Sequence, residues 1–191
     1  MSKTADPRSP LDVQLRAEVD GDYAAIHHIV RTAFKDDATS ELVTLIRQSP
    51  SYVPELALVA EHGGEVVGYL MLEHLELRDG ATTHEVLSLS PVAVRPDVQR
   101  RGVGSSLIRS AIERADHLGE PLIVVEGSPS YYPRFGFRPA RELGITITLP
   151  AWASEDAAMA YPLCRYRPAI KGHVVYPPAF DRVNHDREPP R

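Results

Sequence analysis

The run Leu87-Ser88-Leu89-Ser90-Pro91-Val92-Ala93-Val94-Arg95-Pro96-Asp97-Val98-Gln99-Arg100-Arg101-Gly102-Val103-Gly104-Ser105 joins a strand that loses its phase to a turn that opens a helix. Leu87 and Leu89 alternate with Ser88 and Ser90, yet the next apolar residues are Val92 and Val94, one position late. A slip of one residue is what a β-bulge produces, and Pro91 has no N–H to give to a ladder. The strand is therefore read as bulged, with the backbone of Val92, Ala93 and Val94 open to a ligand. The plainer alternative is an edge strand that tolerates Pro91. In the turn that follows, Gly102 and Gly104 let a backbone come close, and the first turn of a helix offers unpaired N–H groups and the positive end of its dipole. Arg100 and Arg101 can add charge-assisted hydrogen bonds. The turn is expected to hold an anion.

Outward from this run the pattern is regular. Gly102 opens a helix with Val103, Leu107, Ile108, Ala111, Ile112 and Ala115 on one face, and Gly119 closes it. Leu122 to Val125 is short and wholly apolar, as a buried parallel strand is, so strand 85–94, helix 102–118 and strand 121–126 make a βαβ unit. Upstream, 56–61, 66–77 and 85–94 read as three antiparallel strands joined at Gly63-Gly64 and Asp79-Gly80. Before them come a short strand over 12–17 and a helix capped by Asp20 that carries Tyr23, Ile26, Ile29, Val30 and Phe34. A second helix starts at Thr39 or Ser40. Downstream, 141–149 alternates weakly and 159–163 suits a short strand. The fold class is α/β with a mixed sheet. Residues 1–11 read as a flexible leader, 12–165 as the domain, and 166–191 as a C-terminal extension with a polar, disordered tail from Asp181.

Composition narrows the function. A chain of 191 residues, 43% hydrophobic, buries enough surface to need neither disulfide nor metal, and the single Cys164 has no intrachain partner. No metal site is expected. No apolar stretch approaches the ~20 residues that span a bilayer, and the first ten residues lack a signal-peptide core, so a cytoplasmic protein without a membrane partner is expected. A net charge of −5 argues against coating nucleic acid. Five arginines (95, 100, 101, 109 and 114) against Asp97 and Glu113 nevertheless give the segment around the glycine turn a local balance of +3. That placement suits one compact polyanion rather than a polymer.

The turn lacks the Gly-Lys-Ser/Thr ending of a P-loop and the third glycine of a Rossmann fingerprint. Its Gln99-x-x-Gly102-x-Gly104 instead resembles the acetyl-CoA motif of the GNAT superfamily of N-acetyltransferases, Gln/Arg-x-x-Gly-x-Gly/Ala. The resemblance covers roughly 12–149 and implies the order β, α, α, three antiparallel β, α, β, α, β. It implies that Val92, Ala93 and Val94 pair with the pantetheine arm of acetyl-CoA, while Gln99, Arg100, Arg101, Gly102, Val103, Gly104 and Ser105 hold its pyrophosphate. Downstream, Tyr131-Tyr132-Pro133-Arg134-Phe135-Gly136-Phe137 is similar to the family's aromatic-Tyr-x-x-x-Gly-Phe segment, which implies Tyr132 as general acid. The same run, with Gly172 to Phe180, resembles a branch of predicted N-acetyltransferases that carries a C-terminal extension.

The resemblance implies acetyl transfer from acetyl-CoA to a primary amine, of a small molecule or a peptide, by direct attack. An N–H at the bulge, that of Val92, would hold the oxyanion. An alkylamine is mostly protonated at neutral pH and needs a base. In several family members that base lies four residues before Val92, where this chain has Ser88, which cannot replace a carboxylate. Glu73, Glu76, His84, Glu85 and Glu126 are the candidates left open. The family's acceptor pocket would be shaped by 20–49 and 138–160. A non-catalytic acyl-CoA-binding regulatory module and a plain phosphate binder remain as alternatives, and a homodimer is left open.

Overall fold

In a computed structural model the described residues are 9–180. The first eight residues of the expected leader and the tail from Asp181 lie outside them. The chain opens with β1 (Gln14–Ala17), α1 (Tyr23–Phe34) and α2 (Ala38–Arg47). Then come three long strands, β2 (Tyr52–His62), β3 (Glu65–Asp79) and β4 (Thr82–Val94). After α3 (Val103–Leu118) follow β5 (Leu122–Glu126), β6 (Arg138–Pro139), β7 (Ile145–Thr146), β8 (Ala158–Pro162) and β9 (Gly172–Val175). One mixed sheet runs β1-β2-β3-β4-β5-β8-β6, antiparallel except where β5 lies parallel to β4, and β9 pairs with β3 and β7. No helix among the described residues is long and apolar enough to cross a membrane.

The turns form for the reasons the sequence gives. Gly63 and Gly64 have φ of 59° and 82°, the positive values a two-residue primed hairpin demands. The bulge is real: Leu70 faces Val92 and Leu72 faces Leu89, so Met71 alone spans Ser90 and Pro91. Leu70 and Leu72 pack beneath α3 with Leu107, Ile108 and Ala111, whereas Tyr69 and Met71 pack on the other face beneath α1 and α2. Gly68 lets α3 sit close, because a Cβ there would lie 2.8 Å from Val103 Cγ1.

Three expectations need correction. Asp20 starts a single 3-10 turn and α1 begins only at Tyr23; the Asp22 carboxylate accepts from Arg16 and from the Val19 N–H instead of capping the helix. The helix implied between β5 and the last strands shrinks to one 3-10 turn, Tyr132–Phe135, closed by Gly136 at φ 100°. The alternation over 141–149 yields only the two residues of β7, since Ala140–Leu143 is a 3-10 turn ended by Gly144 at φ 69°. Leu11 is buried and its N–H donates to the Arg101 carbonyl, so the leader is tied down where it meets the glycine turn. The segment read as an extension supplies β9 to the sheet.

Candidate active site

β4 and β5 pair only at Leu87 with Ile123 and Ser88 with Val124, and then separate. Val92, Ala93 and Val94 stay paired with β3 on one side, so the edge left open is the one toward β5. The opening is therefore a splay of two parallel strands, with the bulge at its apex. Gln99 Nε2 donates to the Val94 carbonyl at 3.0 Å and ties the turn to that edge.

A cleft of about 700 Å³ fills the splay. One wall is Val92 and Val94; the floor is Gly102 to Ser105 at the start of α3. The first bond of that helix runs from the Ser106 N–H to the Gly102 carbonyl at 3.0 Å, so the N–H groups of Val103, Gly104 and Ser105 have no acceptor within the helix. Gly102 sits at φ 87°, and Arg100 holds φ 61°, a left-handed conformation costing a non-glycine residue about 1–2 kcal/mol. A Cβ at Gly104 would lie 3.3 Å from the Tyr131 hydroxyl and 3.5 Å from Val94, so a side chain there would fill the cradle.

The arginines divide unevenly. Arg100 lines the cleft, but Arg101 donates through Nε to the Ser9 carbonyl at 3.1 Å and turns away. Arg95 is held by Asp97 and Glu65, Arg109 lies over Phe135, and Arg114 reaches the Glu55 carbonyl. The +3 segment thus gives the cleft one guanidinium, and the second comes from Arg134, whose guanidinium lies 4.7 Å from the Tyr131 ring centre. Ala93 likewise contributes backbone alone, because its side chain is buried on the opposite face.

Tyr132 lines the cleft where the strands diverge, its ring against Gly127 at the end of β5 and edge-on to Phe137. Burial, with a smaller effect of neighbouring Tyr131, holds its phenol well above the ordinary tyrosine value. It stays protonated across the working pH range. The described residues thus join an unpaired strand edge, a ring of helix-start N–H groups and a protonated phenol around one cavity.

A family model described as Acetyltransferase (GNAT) domain matches residues 14–140. The chain belongs to the GNAT acetyltransferase family. A relative in Escherichia coli K12, Uncharacterized N-acetyltransferase YjhQ, is 32% identical over 155 residues, covering 80% of this chain and 86% of its own. The crystal structure of the E. coli GNAT family N-acetyltransferase YhbS in complex with CoA has a TM-score of 0.80 at 24% identity, covering 90% and 93%. A GNAT family acetyltransferase from Brucella melitensis in complex with acetyl-CoA has a TM-score of 0.71 at 26% identity, covering 89% and 99%.

The five carboxylate and histidine candidates of this GNAT chain separate by position. Glu76, His84 and Glu85 stand where Glu76 faces Glu85 and Leu77 faces His84, at the end of the β3–β4 ladder away from Val92. Glu76 and Glu85 are exposed there; Glu76 accepts from Arg78, and Glu85 lies 3.7 Å from His74. Glu126 accepts from the Tyr176 hydroxyl at 2.7 Å. Glu73 faces Ser88 and is fully buried. Tyr131, Arg134, Ala33 and Phe34 line the cleft without having been singled out for it; the first two lie inside the aromatic motif, where a signal existed, while Ala33 and Phe34 come from the end of α1 and gave none. Among the described residues no three His, Cys, Asp or Glu side chains converge as metal ligands.

Proposed function

We propose that the chain transfers an acetyl group from acetyl-CoA to a primary amine, by direct attack of the amine nitrogen on the thioester. The observation that carries this reading is the convergence of the open Val92–Val94 edge, the Val103 to Ser105 N–H groups and Tyr132 on one cleft. Acetyl-CoA bound there supplies an activated acyl carbon and a thiolate leaving group. The helix-start N–H groups and Arg100 hold the pyrophosphate, and the backbone of Val92, Ala93 and Val94 pairs with the amide-bearing arm. The Val92 N–H is the donor for the oxyanion. Tyr132 gives its proton to the departing sulfur. A thiolate expelled into a largely buried site is disfavoured for the same reason as a phenolate, so burial raises the proton affinity of the sulfur alongside that of the phenol.

Thiol release from acetyl-CoA with a panel of primary amines tests the reading. Tyr132→Phe is expected to lower kcat by about 100-fold or more with the affinity for CoA unchanged. Full turnover with an unaltered pH profile would remove the acid role. Tight CoA binding by the wild type without turnover of any amine would favour the regulatory module instead.

A further inference from the structure

Among the described residues, the buried side-chain polar atoms left without a hydrogen-bond partner are the two carboxylate oxygens of Glu73. On the α1/α2 face of the sheet, Tyr69 and Met71 of β3 belong to the apolar cluster under the helices, and Leu75 and Leu77 belong to a second cluster with Val86, Val124 and Leu143. Glu73 stands between them on the same face, at the seam. Ser88 is its cross-strand partner, with Cβ atoms of such a pair about 5 Å apart, and its hydroxyl only partly offsets the burial that raises the carboxyl's proton affinity.

The seam is roofed. Val175 pairs with Glu76, and Phe180 enters the cluster beneath α2, so Tyr176 to Phe180 passes from the edge of β3 onto this face. Glu126 ends β5, two strands from β3, so the Tyr176 side chain that reaches it crosses the face of β4. The other titratable groups facing the seam are Tyr52, opposite Glu73 on β2 with its hydroxyl given to Glu18, and Tyr69, whose hydroxyl faces Arg47. Arg47 is itself committed to Glu18. A packed interior accommodates methionine or glutamine here more easily than an unpartnered carboxyl, so its presence points to a partner that arrives with substrate.

We propose that Glu73 is the proton acceptor for the attacking amine, serving from β3 in place of Ser88 on β4 and reached when Tyr176 to Phe180 lifts. The proposal rests on the acetyl-transfer reading above, and its substrate class is a primary alkylammonium. While the seam is closed burial favours the neutral carboxyl; an ammonium entering beside it favours the charged form, and the displaced proton leaves to solvent. The carboxylate takes one proton from the ammonium and frees the nitrogen lone pair; the amine then adds to the thioester carbon, its second N–H proton passes to solvent as the C–S bond breaks, and the sulfur takes the Tyr132 proton. Solvent returns a proton to Tyr132 and removes one from Glu73.

The test compares wild type, Glu73→Gln and the exchange Glu73→Ser with Ser88→Glu, using ethanolamine, spermidine and a lysine-containing peptide as acceptors and carrying the best forward. Glu73→Gln is expected to lose kcat about 100-fold or more and the acidic limb of the kcat/KM profile, with KM for acetyl-CoA unchanged. The exchange is expected to recover at least about tenfold of that loss by returning the carboxylate to β4. Independently of turnover, infrared spectra should show a protonated carboxyl at neutral pH in wild type that is absent in Glu73→Gln. Wild-type turnover and pH profile retained in Glu73→Gln would overturn the proposal alone. No turnover by wild type with any of these amines would overturn the acetyl-transfer reading to primary amines and this assignment with it.

Discussion

Among the described residues two glutamates are buried, and they are opposites. Glu18, after β1, receives both arms of Arg47 at 2.7 and 2.6 Å and the Tyr52 hydroxyl at 2.8 Å, while Arg47 also lies 4.1 Å from the centre of the Tyr23 ring. Glu73, across the β2–β3 pair from that same Tyr52, has no charged partner and no hydrogen bond, with only the Ser88 hydroxyl facing it. The first group of contacts clamps the strand-to-helix link, α2 and β2 together; the second region is left incomplete. Burial of a carboxylate is therefore not a sign of function by itself. What distinguishes the two regions is whether the fold supplies its own partners.

The largest effect belongs to the complete region. Arg47→Met leaves Glu18 buried and without its counter-ion, which costs about 3–5 kcal/mol, or a fall in Tm of about 10 °C or more for a domain of this size. Chemical denaturation measures it. A loss below about 1 kcal/mol would mean that solvent reaches Glu18 and that the contrast between the regions is false.

The next effect, from the incomplete region, has a definite pH direction. The folded-state proton affinity of Glu73 is raised by burial, so between the unfolded value of ~4.3 and the folded one the native chain binds a proton that the unfolded chain has released. The stability tied to that proton is fully present below about pH 4 and is lost as pH rises, by up to ~1.4 kcal/mol per unit. Glu73→Gln lacks this slope. Wild type should therefore lose stability relative to the variant as pH rises above the unfolded carboxylate value, read from denaturation midpoints at several pH values. Parallel pH profiles would show that Glu73 finds partners in solution.

The glycine turn was legible because everything that makes it an anion site lies within a few residues: Gln99, Gly102 and Gly104 act through local backbone geometry. The bulge was legible for the same reason, as a slip in an alternation around Pro91. Charge was less informative. Arg100 and Arg101 are adjacent and chemically alike, and only the carbonyl of Ser9, nearly a hundred residues away in sequence, decides that one faces the cleft and the other does not. The five base candidates were equivalent in sequence because what separates them is register. Glu73 meets Ser88 only when β3 and β4 are paired across the bulge, and Tyr176 joins them only after β9 returns to the edge of β3.

The smallest effect tests whether the roof over the incomplete region is a latch. Tyr176→Phe removes the hydroxyl that donates to Glu126 at 2.7 Å and leaves the ring packed on Phe180, 4.9 Å between centres. Loss of one hydrogen bond to a partly buried carboxylate costs about 1–2 kcal/mol, well below the Arg47 effect, because Glu126 keeps access to water. If Tyr176 to Phe180 must lift before an amine meets Glu73, the same substitution lowers the amount of work needed to open the seam. KM for the amine should then fall by up to about tenfold while KM for acetyl-CoA stays fixed, since one kcal/mol shifts an opening equilibrium about fivefold. A matching loss of stability with both KM values unchanged would make the Tyr176 to Glu126 contact a structural tie like that of Arg47 to Glu18. The amine would then have to approach Glu73 by another route.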